Sequence, residues 1–189
     1  MSAIAAFILK TLGWRLVGKL PTLKKYVVIV GPHTSNWDFF IFLLVKFSYR
    51  LTVVFIGKHT IFIGPIGWAL RKIGGIPVER SSAHNVVDKI VEEFSIREEM
   101  VFALSPEGTR RYLDHWKSGF YHIARKANVP VQTAFLDVRS KQTGWGPLFY
   151  LSDDRHEDLK KIAEFYSGKL GFKPEKFSKI IFKSSNHRD

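Results

Sequence analysis

The chain has no cysteine, so disulfides, thiolate nucleophiles and thiolate metal sites are all excluded. Acid is nearly missing from its first 78 residues. Ten Lys/Arg stand there against the single Asp38, a formal +9 of the chain's +12. Long apolar runs are missing too: Phe39 to Val45 is seven residues, ended by Lys46, whereas a membrane span needs about 20. The start has neither a basic n-region nor a small-residue cleavage site, so no signal peptide is expected. Repeats, low-complexity segments and linkers are also absent. What remains is 189 residues, 46% of them hydrophobic, enough for one domain spanning 1–189 with its own core and too apolar for wholesale disorder.

The basic first part is also apolar, a combination that suits an anionic membrane surface better than nucleic acid, for which no recognition motif is present. Ile4, Phe7, Ile8 and Leu12 make a helical stripe that fails beyond Gly13, where Arg15 falls on the same face. Residues 1–25 are therefore expected to supply an amphipathic helix and a lead-in. That helix is either a short membrane-interface anchor or a helix packed on the domain.

Further along, apolar runs alternate with helical stripes. Tyr26–Val30, Leu51–Ile56, Ile76–Val78, Met100–Leu104, Val131–Leu136, Leu148–Leu151 and Lys179–Lys183 read as strands. Phe39–Phe47 reads as a helix apolar all round. Val86, Val87, Ile90, Val91 and Phe94 mark an amphipathic helix, as do Phe120, Ile123, Ala124 and Ala127, and then Leu159, Ile162, Ala163 and Tyr166. Gly64, Pro65 and Gly67 break up the stretch between the second and third strands, and a Gly-rich turn precedes Leu148. The alternation predicts a single α/β domain, a central largely parallel or mixed sheet flanked by helices.

Chemistry-bearing residues follow the strands. His33 and Asp38 lie five positions apart just after the first long strand and Gly31-Pro32. An imidazole can take a proton at neutral pH, and a carboxylate behind it can fix its tautomer. Ser35 with Asp38 also reads as a helix N-terminus, the serine capping and the aspartate meeting the dipole. Gly74–Arg80, Phe102–Arg111 and Val129–Val131 add strand ends that could converge on one crevice. There Arg80, Arg110 and Arg111 would offer forked donors suited to a phosphate, and Gly108 would let the backbone approach a ligand. Glu79-Arg80 also reads as a surface pair, and Pro106–Thr109 as plain turn chemistry.

In this order and spacing the four blocks resemble the glycerolipid acyltransferase superfamily, which includes the bacterial lysophosphatidate acyltransferases. The resemblance runs from about Gly31 to Val131. His33–Asp38 and Pro106–Arg110 are its specific parts, and the chain is most similar to a compact branch of short members. It departs from the family's pattern at Pro32, Pro77, Ser105 and Arg111, all flanking the acceptor site.

The resemblance implies that His33 is the general base on an acceptor hydroxyl and that Asp38 orients it. It puts Arg80 and Arg110 on the acceptor's phosphate, Glu107 on its glycerol part and Thr109 beside it. Backbone N–H groups near Gly108 would meet the oxyanion. It implies no metal and no cofactor, with acyl-CoA or acyl-carrier protein as co-substrate and a lysolipid such as lysophosphatidate as acceptor. The expected setting is the cytoplasmic face of an anionic membrane, peripheral or monotopic, with no nucleic-acid partner. Two alternatives stay open: a catalytically silent lipid-surface binding protein, and an acyltransferase with a non-phosphorylated acceptor.

Other residues read as structural. Ser105 has no Gly-x-Ser-x-Gly elbow and is a turn residue rather than a nucleophile. The remaining histidines lack metal-ligand spacing, although His115 and His122 lie near the Arg110 loop.

Overall fold

The computed structural model describes residues 2–78 and 83–183. Its elements run α1 (Ser2–Thr11), β1 (Arg15–Val17), β2 (Lys25–Gly31), α2 (Asn36–Ser48), β3 (Val53–Lys58), α3 (Gly64–Lys72), β4 (Gly75–Val78), α4 (Ala83–Ile96), β5 (Met100–Leu104), α5 (Gly119–Lys126), β6 (Val131–Asp137), β7 (Gln142–Phe149) and α6 (Arg155–Tyr166). The strands form one seven-stranded sheet in the order β1-β7-β6-β2-β5-β3-β4. Strands β6, β2, β5, β3 and β4 are mutually parallel, and β7 with β1 runs the other way. The expected α/β domain with a largely parallel, mixed sheet and an N-terminal helix is the one observed.

Strand β2 lies at the centre and is buried on both faces, which is why it reads as an unbroken apolar run rather than an alternation. Its side chains divide the core. Val27 and Ile29 join Ile90 and Phe94 of α4, Phe120 and Ile123 of α5, and Leu159, Ile162 and Tyr166 of α6. Tyr26 and Val28 join Ala5 and Leu9 of α1 and Ile41, Leu44 and Val45 of α2.

Helix α3 belongs to the layer of α1 and α2. Phe39 and Phe42 of α2 pack on Phe55 of β3, at ring distances of 5.5 and 6.0 Å. Gly57 points the same way two residues on. A Cβ there would meet the Phe62 ring at 2.9 Å, so the lead into α3 lies on that face.

Several sequence expectations need correction. Gly64, Pro65 and Gly67 do not break the chain. Pro65 sits in the first turn of α3, where its missing N–H costs nothing, and Gly67 packs so close that a Cβ would lie 2.0 Å from the Phe62 backbone. The Gly-rich turn before Leu148 is mostly strand β7. Its Gly144 accommodates β1, since a Cβ there would lie 1.9 Å from Val17 O. Three-residue β1 was too short to leave a pattern. Lys179–Lys183 is no strand, only a single bridge from Phe182 to Trp116. Val129–Val131 enters β6, which pairs in parallel with β2, so it lies at the opposite edge of the sheet from His33.

In α1 the buried side is Ala5 and Leu9, packed toward α2, while Ile4 and Phe7 are 64% and 65% exposed and Leu12 is exposed too. The helix is thus docked on the domain by one side and apolar toward solvent on the other. Exposed apolar side chains continue along that layer with Trp37 and Phe40 of α2 and with Ile63, Ile66 and Trp68 at α3. Among the described residues no helix is long and apolar enough to cross a membrane.

Candidate active site

Parallel β2, β5, β3 and β4 end at one edge of the sheet, so the chain segments leaving them meet there. The turn after β2 carries His33. Helix α2 then begins with Ser35 as N-cap and Asp38 closing a capping box. Oδ2 of the buried Asp38 accepts from the Thr34 N–H at 2.5 Å and the Ser35 N–H at 2.7 Å. The same oxygen lies 3.2 Å from His33 Nδ1. Capping and orientation, two separate readings of the sequence, are thus performed by one atom. With Nδ1 facing the carboxylate, Nε2 of the half-exposed ring is left to handle a proton. Oδ1 is buried and has no hydrogen-bond partner.

The turn after β5 stands against this one. Arg110 Nη1 donates to Asn36 Oδ1 in the first turn of α2, which fixes a guanidinium beside the histidine turn. Thr109, Arg110 and Arg111 line the same cleft as His33. The Thr109 hydroxyl accepts from the Arg111 N–H at 3.2 Å.

Glu107 is placed otherwise than expected. It is fully buried. Its Oε1 accepts from the His33 N–H at 2.6 Å, and Oε2 accepts from the Ser178 N–H at 3.2 Å. Burial pushes its carboxyl up to about 7, against the opposing pull of those two N–H groups. Expected on the acceptor's glycerol, the carboxylate is spent instead on backbone and holds the turn that carries His33. Gly108 lines the cleft, and its own N–H donates to Ser105 O at 3.0 Å. Its φ of +62° is why glycine stands there. Arg80, expected on the phosphate, lies outside the described residues.

Sequence reasoning missed the supports. Asn36 sits inside the His33–Asp38 block, and its tie to Arg110 could have been suspected from that position. Tyr166 donates to both Ile29 O (2.8 Å) and Ala134 O (3.0 Å), and Thr34 Oγ1 accepts from the Lys173 N–H at 3.1 Å. These last contacts come from more than 130 residues away for Ile29 and Thr34, and no local pattern announces them.

The cleft is large, about 1280 Å³. Phe39, Phe42, Phe55, Ile56, Val78 and Val86 give it an apolar stretch, and Arg110, Arg111, His115 and Lys117 are among its basic lining residues.

A parallel-sheet α/β domain with a His/Asp pair facing an arginine-bearing turn defines a class, and comparison with known proteins names it. The model of the Acyltransferase family matches residues 15–137, and the chain belongs to that family. Over 118 residues it is 36% identical to the chloroplastic 1-acyl-sn-glycerol-3-phosphate acyltransferase BAT2 of Brassica napus. It is 34% identical to the chloroplastic 1-acyl-sn-glycerol-3-phosphate acyltransferase LPAT1 of Arabidopsis thaliana. Each match covers 59% of this chain, and the chain spans about a third of the length of these relatives (33% and 32%). The crystal structure of the 1-acyl-sn-glycerophosphate (LPA) acyltransferase PlsC of Thermotoga maritima has the same fold. Its TM-score is 0.62 at 18% identity, over 86% of this chain and 73% of that one.

Proposed function

We propose that the chain moves a fatty acyl group from an acyl thioester to a hydroxyl of a lysophospholipid such as lysophosphatidate, at a membrane surface. The observation that carries this reading is the pairing of His33 Nδ1 with buried Asp38 at 3.2 Å beside the Arg110 turn. The apolar stretch of the same cleft suits an acyl chain. Family membership and the names of the two plant relatives support it.

In the proposed reaction His33 Nε2 takes the acceptor's hydroxyl proton as the oxygen forms its bond to the thioester carbonyl carbon. Asp38 stabilises the imidazolium. The tetrahedral oxyanion then collapses, the carbon–sulfur bond breaks, and the imidazolium returns the proton to the departing thiolate. Ester and free thiol account for every atom, and no acyl-enzyme forms. Arg110 would hold the acceptor's phosphate with a charge-assisted fork. Glu107 would act one step removed, as a positioning residue beneath His33.

The α1–α2–α3 layer would rest on the bilayer. Its exposed Ile4, Phe7, Trp37, Ile63, Ile66 and Trp68 are apolar, and Lys10, Lys58, Arg71 and Lys72 supply positive charge for an anionic surface.

The test mixes purified chain with acyl-CoA and a panel of lysolipids. It reads thiol release and, by mass spectrometry, the diacyl product. Transfer that is lost in His33→Ala supports the reading. Vesicle binding without thiol release across the whole panel would sink it and leave a lipid-surface binding protein.

A further inference from the structure

A second, much smaller cavity adjoins the cleft, and Asp38 lines both. Its volume is about 30 Å³, between α2 and strands β2, β6 and β7. Asp38, Ile41, Val45 and Lys46 line it from one face of the helix. Thr143 and Trp145 line it from β7. The Trp145 ring packs on Tyr49, the C-cap of α2, at a ring distance of 5.9 Å. The cavity therefore runs along α2, with the carboxylate at one end and the indole toward the other.

Two buried polar atoms on its lining residues have no hydrogen-bond partner among the described residues: Asp38 Oδ1, an acceptor, and Trp145 Nε1, a donor. Leaving such groups unmet in a core is costly, above all for a carboxylate oxygen. Other polar groups on the wall are only partly spent. The buried Lys46 gives one N–H to Leu51 O at 2.7 Å. The Thr143 hydroxyl donates to Phe135 O at 2.8 Å, and its oxygen can still accept. A wholly apolar cavity stays dry, but a polar one holds a water for roughly every 10–15 Å³ of such space, given two or more partners. This one has the partners and room for about two.

We propose that the cavity is an internal water site. A short file of ordered water donates to Asp38 Oδ1 at one end and accepts from Trp145 Nε1 at the other. Trp145 is then a positioning residue, acting through water on the carboxylate whose Oδ2 meets His33 Nδ1 at 3.2 Å. Oδ2 is already held by the N–H groups of Thr34 and Ser35, and water on Oδ1 fixes the other half of the group. An acyl chain is the wrong occupant, since it brings no donor for that oxygen. The positioning role rests on the acyl-transfer reading; the water site itself does not.

The experiment takes high-resolution crystal structures of the full chain and of two variants, with NMR of the His33 Nδ1 proton and acyl-transfer kinetics. The parent should show water density bonded to Asp38 Oδ1. Trp145→Phe keeps a ring and removes the N–H. It should lose the water at that end, move the His33 Nδ1 proton resonance and lower kcat about fivefold, the size of one neutral hydrogen bond. KM for each substrate should stay within about twofold. A merely structural role for Trp145 would lower the yield of folded chain and leave the resonance of the folded fraction in place. Val45→Ile fills the cavity from the opposite wall with the indole intact. It should expel water and move the same resonance. A dry cavity in the parent, or a resonance unmoved in both folded variants, overturns the inference. Acyl transfer with a dry cavity sinks the water site and leaves the proposed reaction standing. Ordered water and both resonance shifts, without thiol release from any thioester, would do the reverse.

Discussion

The two helical layers that sandwich the sheet are built to different rules. On one side α1, α2 and α3 come from a stretch whose only acid, Asp38, is buried at the site, and they expose Ile4, Phe7, Trp37, Ile63, Ile66 and Trp68. On the other side α4, α5 and α6 mix signs, with Asp88, Glu92, Glu93, Glu157 and Glu164 among their lysines and arginines. The mixed layer has the surface of a protein face in water. The first layer has apolar area rimmed with one sign of charge, an arrangement that would suit the anionic lipid surface proposed for it. The candidate site residues His33, Asp38 and Arg110 line the cleft at the ends of the parallel strands.

The hardest blow to this division falls on the cleft itself. His33→Ala should lower acyl transfer by about 10² to 10⁴-fold, the range for a lost general base. Its affinity for anionic vesicles and its thermal midpoint should stay put, as thiol release, vesicle sedimentation and calorimetry would record. If vesicle binding falls with activity, the cleft and the lipid face are not separate.

Glu107→Ala attacks the support from the mixed side. It strips the acceptor from the part-buried His33 N–H and the buried Ser178 N–H, each worth about 1–3 kcal/mol, so urea unfolding should show a loss of roughly 3 kcal/mol. Acyl transfer should drop with it, because the backbone of His33, the proposed base, is released. Unchanged stability would mean that the turn is held by something else.

Glu107 also sets a pH dependence. Its carboxyl titrates at about 7 in the fold against 4.5 for the free group. Between those values the folded chain keeps a proton that the unfolded chain has given up. This group's contribution is therefore best below about pH 4.5, declines as pH rises through the window, and stays low above about 7. The span is on the order of 3 kcal/mol. Urea midpoints compared for the parent and Glu107→Gln should differ in slope across that window, and parallel curves would contradict the shift.

The mildest change sharpens the comparison most directly. Ile63→Glu with Ile66→Glu should weaken binding to anionic vesicles by about tenfold or more, since each apolar side chain withdrawn from lipid forfeits roughly 1.5–3 kcal/mol. Ile96 and Ile181 are also exposed, outside the α1–α3 layer. Glutamates placed there should leave vesicle binding alone. Equal effects at both pairs would erase the distinction between the layers.

The sequence announced whatever is local. The β2 run, the capping residues before α2 and the stripes of α4, α5 and α6 were legible because a central strand and an amphipathic helix each impose a period. His33 and Asp38 were legible because their partnership spans one turn. Features set by distant packing were not. Gly67 and Gly144 read as punctuation, yet each is fixed by a backbone passing within a Cβ's reach. Glu107 read as a ligand residue because the family resemblance put it on the acceptor. Its burial depends on Ser178, 71 residues on, and no window along the chain contains both.

Because one oxygen of Asp38 both starts a helix and meets the His33 ring, a change at position 38 touches the fold and the proposed chemistry together. An asparagine there could still offer an oxygen to the backbone, but its amide adds hydrogens where the imidazole's own proton must point. A glutamate could still close the capping box, but its extra methylene would shift the carboxylate relative to the His33 ring. Only aspartate there serves the first turn of α2 and the His33 ring with the same charged oxygen.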